Sequence, residues 1–527
     1  MTTLTSRNIW TRLVNADLLE NLAQRIVRTR NLQATLEVRS PINNEVIGEI
    51  PRCGPADVQE AVRRARKAQA TWAAKSVQER VAIIDRFHDL VLERKAAILD
   101  LMQIETGKAR LHAFEELFDV LNNARYYHQV ATKYLAPKLR KGLIPWVTQT
   151  TEHHVPVGVV GCITPWNYPF TLPISDCIPA LLAGNAVLLK PSEQTTFTAL
   201  YGIELLIESG LPSDLFQVVS GVGAEIGEAF LAQIDMLMFT GSTQTGRKLA
   251  AQAGAHLIKC SMELGGKNPM LVLEDADLQA AIEGAVQGSF ANAGQLCVSF
   301  ERIYVHRSLF KPFLEGFVAR TQTMHLGFSF DLTIEMGPLI NDAQLQKVTQ
   351  HVQDALDKGA QLETGGKARP NLAPFFYEPT ILTGVTPEMA VFREETFGPV
   401  VAVYPFDTEE EALHLANDTE YGLNAAVFSQ DLDRAMELAR QIRAGSVNIN
   451  ETFRATWASV DAPLGGMKAS GLGRRHGLEG LLKYTDSQTI AVQRVHPIQK
   501  PNFLTSEQYT DLFTKAAKWF KWLPGIN

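Results

Sequence analysis

The sequence predicts an α/β protein built on parallel sheets with crossover helices. From residue 157 to 239, short apolar strings alternate with longer segments of helical periodicity, and a second alternating block runs from residue 268 to about 450. That alternation is the pattern of βαβ units, because a parallel strand is reached only through a crossover. At 527 residues the chain exceeds what one hydrophobic core serves, so two or more units are expected.

The elements follow in order. Residues 1–35 are helix-prone and charged, and read as an extension outside the core. Residues 37–50 alternate around the turn formers Pro41 to Asn44, which predicts a hairpin. Across 56–137 the spacings Val58-Ala61-Val62 and Val81-Ile84-Phe87-Leu90-Val91 predict long helices. The first α/β block reads as strand 157–163, helix 168–183, strand 186–190, helix 198–209, strand 216–220, helix 225–232 and strand 236–239. In the second block strands are expected near 268–272, 302–305, 400–404 and 446–449.

Composition narrows the function classes. Hydrophobic residues at 46% and charged residues at 20% are ordinary for a globular protein, and the net charge of −7 gives no sign of nucleic-acid binding. Cys53, Cys162, Cys177, Cys260 and Cys297 are few, scattered and odd in number, with no zinc-site or disulfide spacing. A reducing cytoplasm is therefore the expected compartment. The N-terminus lacks the apolar centre of a signal peptide, and no stretch reaches the roughly 18 apolar residues that span a bilayer.

Several segments bear on chemistry. Gly221-Val222-Gly223-Ala224-Glu225-Ile226-Gly227 follows a strand, but Ile226 breaks the G-x-G-x-x-G pattern, so a tight turn explains it as well. Phe239-Thr240-Gly241-Ser242 is stronger, because Gly241 admits a close backbone approach and the following helix start offers free N–H groups to a phosphate. A simple capped helix weighs equally there. Lys190-Pro191-Ser192-Glu193 closes an apolar strand, where open α/β sheets bind ligands, although such a lysine is often only a snorkelling end residue. Asn167 sits among aromatics and prolines (Thr164-Pro165-Trp166-Asn167-Tyr168-Pro169), where an asparagine is usually a turn residue. Alone, Phe397 reads as core and Glu395 as surface charge. Glu263 stands before Leu264-Gly265-Gly266-Lys267-Asn268-Pro269, and Cys297 follows 34 positions later within Phe-Ala-Asn-Ala-Gly-Gln-Leu-Cys. A carboxylate among glycines and a cysteine in a small-residue loop suit covalent attack followed by activation of a water.

These segments, with Glu394-Glu395-Thr396-Phe397-Gly398-Pro399 and the later Pro463-Leu464-Gly465-Gly466 and Tyr484-Thr485, resemble the aldehyde dehydrogenase superfamily over roughly residues 38–490. Six motifs in family order are not a chance set. The resemblance implies a Rossmann-type parallel-sheet cofactor domain, an α/β catalytic domain and a small oligomerisation element. On this chain that means a helical extension over 1–35 and an NAD-binding domain over 36–262, with an oligomerisation hairpin at 138–156. A catalytic domain over 263–458, a returning segment over 459–495 and a C-terminal tail over 496–527 complete the division.

It also implies NAD(P)-dependent oxidation of an aldehyde to a carboxylic acid through a cysteine thioester. Cys297 would be the nucleophile, Asn167 the oxyanion donor and Glu263 the base. The cofactor positions implied are Thr164, Trp166, Lys190, Ser192, Glu193, Gly223, Gly241, Ser242, Leu264, Glu395 and Phe397, and no metal. A carboxylate at Glu193 accepts ribose hydroxyls and repels a 2′-phosphate, so NAD is expected ahead of NADP. Family members that pass the acyl group to coenzyme A lack this glutamate, so Glu263 argues for hydrolysis, and the same three residues argue against a purely structural use of the fold. A homodimer or homotetramer is expected.

The chain also looks similar to a bacterial group called succinate-semialdehyde dehydrogenases. The arginines that clamp the substrate carboxylate in well-understood members fall here on Ser175 and Ala291, and only Arg454 stands nearby as a replacement. A buried carboxylate without a cation is poorly compensated. An apolar aliphatic aldehyde of medium or long chain is therefore the expected substrate, and succinate semialdehyde the alternative. Finally, Leu512, Phe513, Ala516, Trp519, Phe520 and Leu523 fall on one helical face, with Lys518 and Lys521 opposite and Pro524-Gly525 beyond. Such a tail docks on the protein or a partner subunit, or touches a membrane peripherally; docking is favoured.

Overall fold

The computed structural model describes residues 16–29, 34–142, 147–494 and 499–522. The chain opens with helix α1 (Ala16–Ala23), the hairpin β1 (Thr35–Arg39) and β2 (Val46–Pro51), and four helices, α2 (Pro55–Ala73), α3 (Val77–Glu93), α4 (Lys95–Thr106) and α5 (Arg110–Tyr134). Strands β3 (Lys138–Arg140) and β4 (Thr148–Pro156) come next.

A first sheet is then laid down by β5 (Val159–Ile163), β6 (Ala186–Lys190), β7 (Phe216–Val218), β8 (Met236–Thr240) and β9 (Lys259–Glu263). Helices α6 (Thr196–Glu208), α7 (Gly223–Leu231) and α8 (Thr243–Ala255) lie among them. The second sheet takes β10 (Asn268–Val272), β11 (Phe300–His306), β12 (Gln361–Thr364), β13 (Thr380–Thr383), β14 (Val400–Phe406), β15 (Asn424–Phe428) and β16 (Ser446–Ile449), with helix α9 (Leu278–Phe290) between β10 and β11. The chain closes with β17 (Gly471–Leu472), β18 (Thr485–Gln493) and helix α10 (Ser506–Phe520).

Both large sheets are doubly wound. The first has the order β17-β9-β8-β5-β6-β7, parallel except for β17. The chain winds outward from β5 to β7, then returns to β8 on the other side of β5, so the switch point lies between β5 and β8, where open sheets bind ligands. The second has the order β12-β13-β14-β11-β10-β15-β16, antiparallel only at β12. Both read as continuous apolar strands because helices cover both faces. Leu264 to Lys267 join β9 to β10, so the two sheets meet across four residues. β18, β4 and β3 form a separate antiparallel sheet, with Thr485 opposite Pro156 and Gln493 opposite Thr148.

The structure corrects the reading of residues 1–35 as an extension outside the core. In the described part, Leu19, Leu22, Ala23, Ile26 and Val27 are buried in the core of the first sheet. Val27 N–H donates to Val218 O at 3.0 Å, and Ile26 pairs with Val218 beside β7. The apolar residues recur at helical spacing, and that stripe outweighs the charge between them. The helix expected over 168–183 begins at Thr171 and is two short helices, Thr171–Ser175 and Cys177–Leu182, in a run that holds Pro169, Pro173 and Pro179. The tail helix forms, capped by a reciprocal Thr505–Gln508 box. Its Leu512, Phe513 and Trp519 are exposed, so it does not dock these residues on its own protomer. Leu523, Pro524 and Gly525 lie outside the described residues.

Candidate active site

The reacting groups come from the junction of the sheets. Glu263 ends β9 and is buried; Asn167 follows β5 and is buried; Cys297 is half-buried in the loop before β11. They line one cavity of about 230 Å³ together with Trp166, Gly241, Ser242, Leu264, Glu395 and Phe397. Trp166 and Phe397 meet edge to face, with ring centroids 5.6 Å apart.

The cysteine loop is set by backbone geometry. Asn292, Ala293 and Gly294 take φ of 50°, 55° and 69°, a left-handed run that reverses the chain after α9. A Cβ on Gly294 would lie 2.1 Å from Gly398 O, so only glycine fits. The carbonyl of Cys297 accepts a hydrogen bond from Asn268 Nδ2 at 2.8 Å, which ties the loop to the start of β10. Asn167 Nδ2 donates to Gln295 O at 3.0 Å. Because that amide carries two hydrogens, one remains for a ligand.

The electrostatics divide the two catalytic candidates. Burial pushes the Glu263 carboxyl up to about 7, against the pull of Arg475 and Lys483, and its Oε1 has no hydrogen-bond partner among the described residues. A carboxylate poised near neutrality suits a general base. Burial, with Glu395 and Glu263, pushes the Cys297 thiol up to about 12, and Arg475 is the cation that draws it down. Arg475 is buried, 2.9 Å from Asp176. Sequence reasoning met Arg475 and Asp176 only within segments shared with the bacterial succinate-semialdehyde dehydrogenase group and gave them no role; the signal was two charges inside otherwise apolar or glycine-rich segments.

The cofactor candidates occupy the carboxyl ends of the first sheet. Thr164 follows β5, Lys190 ends β6, and Gly241 and Ser242 follow β8 at the start of α8, where Ser242 Oγ caps Thr245 N–H at 3.3 Å. Thr164 Oγ1 and Thr240 Oγ1, on the two sides of the switch point, are buried without partners among the described residues. Lys190 Nζ donates to Glu193 Oε1 at 2.7 Å, with Ser192 buried between them in sequence. Glu395 Oε1 accepts Gly266 N–H at 2.9 Å; a Cβ on Gly265 would lie 2.6 Å from Glu395 Oε2, so the carboxylate needs bare backbone to enter. These orphaned hydroxyls, the helix start and the two carboxylates fit a dinucleotide. Thr164, Lys190, Ser192, Glu193 and Gly223 do not line the cavity at Cys297. Gly223 is the first residue of α7 in open space, in keeping with the turn reading.

Two buried ion pairs went unnoticed in the sequence. Lys108 pairs with Glu116, and Lys267 with Glu301, whose carboxylate accepts the Thr396 and Phe397 N–H groups at 2.9 to 3.0 Å. A second cavity of about 220 Å³ shares Tyr168, Leu296 and Trp457 with the first, and adds Phe114, Phe118 and Phe453. Arg454 lines it, paired with Glu115 at 2.6 Å. Ser175 Oγ donates to Asp119 Oδ2 at 2.7 Å, so the position of an expected clamp holds a carboxylate partner instead.

Residues 27–490 match the model of the aldehyde dehydrogenase family. A Mycolicibacterium smegmatis protein provisionally named a succinate-semialdehyde dehydrogenase using NADP(+) is 50% identical, over 90% of this chain and 92% of its own. The mitochondrial succinate-semialdehyde dehydrogenase of Oryza sativa subsp. japonica is 36% identical, over 87% and 86%. Among solved structures, betaine aldehyde dehydrogenase from Staphylococcus aureus in complex with NAD+ superposes with a TM-score of 0.87 at 33% identity, covering 93% of this chain and 98% of that one.

Proposed function

The chain belongs to the aldehyde dehydrogenase family, and from that premise we propose that it oxidises a semialdehyde of the succinate-semialdehyde kind to the acid. NAD(P)-dependent oxidation of an aldehyde is the family's reaction; the substrate and the residue roles are the proposal. The observation that carries the roles is the convergence of Cys297, Asn167 and Glu263 on one cavity with Glu395 and Phe397.

Cys297 Sγ attacks the carbonyl carbon as thiolate. The oxyanion that develops takes the free Asn167 Nδ2 hydrogen and the Cys297 backbone N–H, and one such preorganised donor is worth about 3 kcal/mol of barrier. The cofactor, when bound, supplies the hydride acceptor. Trp166, Lys190, Glu193, Gly241, Ser242, Glu395 and Phe397 would hold it, together with Thr164, Ser192 and Leu264. Loss of hydride from the adduct leaves a thioester on Cys297. Glu263 removes a proton from water as the water attacks that thioester, and the acid departs with the thiolate restored.

For the substrate, Arg454 matters most. The loop cation reaches the second cavity, where aromatic rings cover a methylene chain and a guanidinium can meet a terminal carboxylate. The names of the relatives favour the same reading over the uncharged aldehyde. The uncharged aliphatic aldehyde stays as a second reading, supported by the Arg454–Glu115 pair, which already neutralises that cation. Arg454→Ala should lower kcat/KM for succinate semialdehyde by about 30-fold, about 2 kcal/mol, and spare hexanal. Equal effects on both substrates would remove the clamp, and a wild type that prefers hexanal would decide for the second reading.

Glu193 supports NAD ahead of NADP, whereas the M. smegmatis relative is named for NADP(+). The exposed Leu139, Val155, Ile490 and Val492 of the three-stranded sheet, and the exposed face of α10, support a homodimer or homotetramer.

A further inference from the structure

Lys108 stands just before α5, and Glu116 lies on it; both side chains are fully buried. Lys108 Nζ donates to Glu116 Oε2 at 2.6 Å and to the backbone oxygen of Asn167 at 2.7 Å, and lies 4.1 Å from the centre of the Tyr168 ring. The other oxygen of Glu116 accepts the N–H groups of Phe170 at 2.6 Å and Thr171 at 3.0 Å. The pair thus grips the segment after β5 on both sides of its turn.

The same helix reaches the cysteine loop. One turn before Glu116, His112 Nδ1 accepts the Asn292 N–H at 3.2 Å. Asn292 Nδ2 donates to the backbone oxygens of Asn167 at 3.3 Å and Gln295 at 3.2 Å, and Asn167 Nδ2 donates to that same Gln295 oxygen. The hydrogen bonds close a ring from α5 through the Asn167 segment to the Cys297 loop and back. One Asn167 amide hydrogen is committed within the ring, and this fixes the direction of the other.

A buried ion pair contributes little net stability, because desolvation offsets most of the attraction. It does fix geometry. We infer that Lys108 and Glu116 form a positioning pair, which holds the Asn167 backbone so that the free amide hydrogen points at the oxyanion formed on Cys297. Both are argued to act through Asn167. The inference rests on Asn167 as the oxyanion donor.

Lys108→Met alone would leave a buried carboxylate without its cation, so the informative variant is Lys108→Met with Glu116→Gln. That double change removes both charges and keeps an oxygen to accept the Phe170 and Thr171 N–H groups. In stopped flow with NAD and propanal, the rate of the first hydride transfer should fall about 10- to 100-fold, as expected for a misaligned group. KM and the NAD dissociation constant should stay within about threefold. Asn167→Ala, measured beside it, should lower the same step, and adding it to the double variant should cost little more, because both act through one hydrogen bond. Hydride transfer at the wild-type rate, an effect confined to thermal stability, or failure of the double variant to fold would each overturn the positioning role. If Asn167→Ala itself leaves hydride transfer unchanged, the oxyanion assignment fails first.

Discussion

In the six-stranded sheet the candidate residues follow the strands: Thr164 to Asn167 after β5, Lys190 at the end of β6, Gly241 and Ser242 after β8. In the seven-stranded sheet they precede them: Lys267 just before β10, Cys297 before β11, Glu395 and Phe397 before β14. The topologies are alike, and the ends facing the cleft are opposite. Carboxyl ends lead into helix starts, whose free N–H groups suit a phosphate. Amino ends are reached through loops, and here the left-handed run Asn292–Gly294 can aim a thiol where no regular element would. The candidate reacting groups come from both sheets: Glu263 and Asn167 stand at carboxyl ends of the six-stranded sheet, and Cys297 stands before β11 of the seven-stranded one. Substitutions at the cofactor candidates should accordingly grade affinity, and those at Cys297, Glu263 and Asn167 should switch chemistry.

The largest expected effect tests the chemical side. Cys297→Ala should lower kcat by at least about 10⁴-fold while NAD affinity, read by protein fluorescence, stays near wild type. Parallel loss of NAD binding would break the division. Next comes Glu263→Gln, which should give a burst of about one NADH per competent site and a steady rate lowered by about 10²- to 10⁴-fold. A base raised to about 7 must be deprotonated to act, so the wild-type steady rate should rise through that pH and level off above it. A rate that falls over the same range would contradict Glu263 as the base.

On the ligand side the effects should be smaller. Glu193→Ser should raise the preference for NADP over NAD by about tenfold, about 1.4 kcal/mol, without changing the burst. A wild type that already favours NADP would reverse the reading of that carboxylate. The smallest effect on turnover belongs to the tail. Truncation before Ser506 should lower the oligomeric state, measured by light scattering, and leave the oxidation of short aldehydes intact. If the oligomer persists while the wild type sediments with liposomes in a tail-dependent way, the exposed Trp519 face meets lipid instead.

Much of this candidate site was legible through the family resemblance, which short motifs rich in glycine and proline carry. Cys297, Glu263 and Asn167 could be named as candidates before any contact was known, and four strands of each large sheet could be placed within a few residues, whereas β9, β12, β13, β15 and β17 were not foreseen. Arg475, Asp176, Lys108 and Glu116 were not legible. A charged residue carries no sign of its burial, and the partners of these four are set by packing between segments far apart in the chain. The same reason explains α1, whose charged sequence concealed an apolar stripe that fits the first sheet.

By itself the sequence determined the α/β class and the alternation of strands and helices, and through the family resemblance it named candidate reacting groups, because periodicity and motifs are properties of neighbours along the chain. Only the tertiary structure decided which sheet ends face the cleft, that Arg454 reaches the second cavity, and that Glu263 is held near neutrality, because burial and charge pairing depend on what folds against a residue.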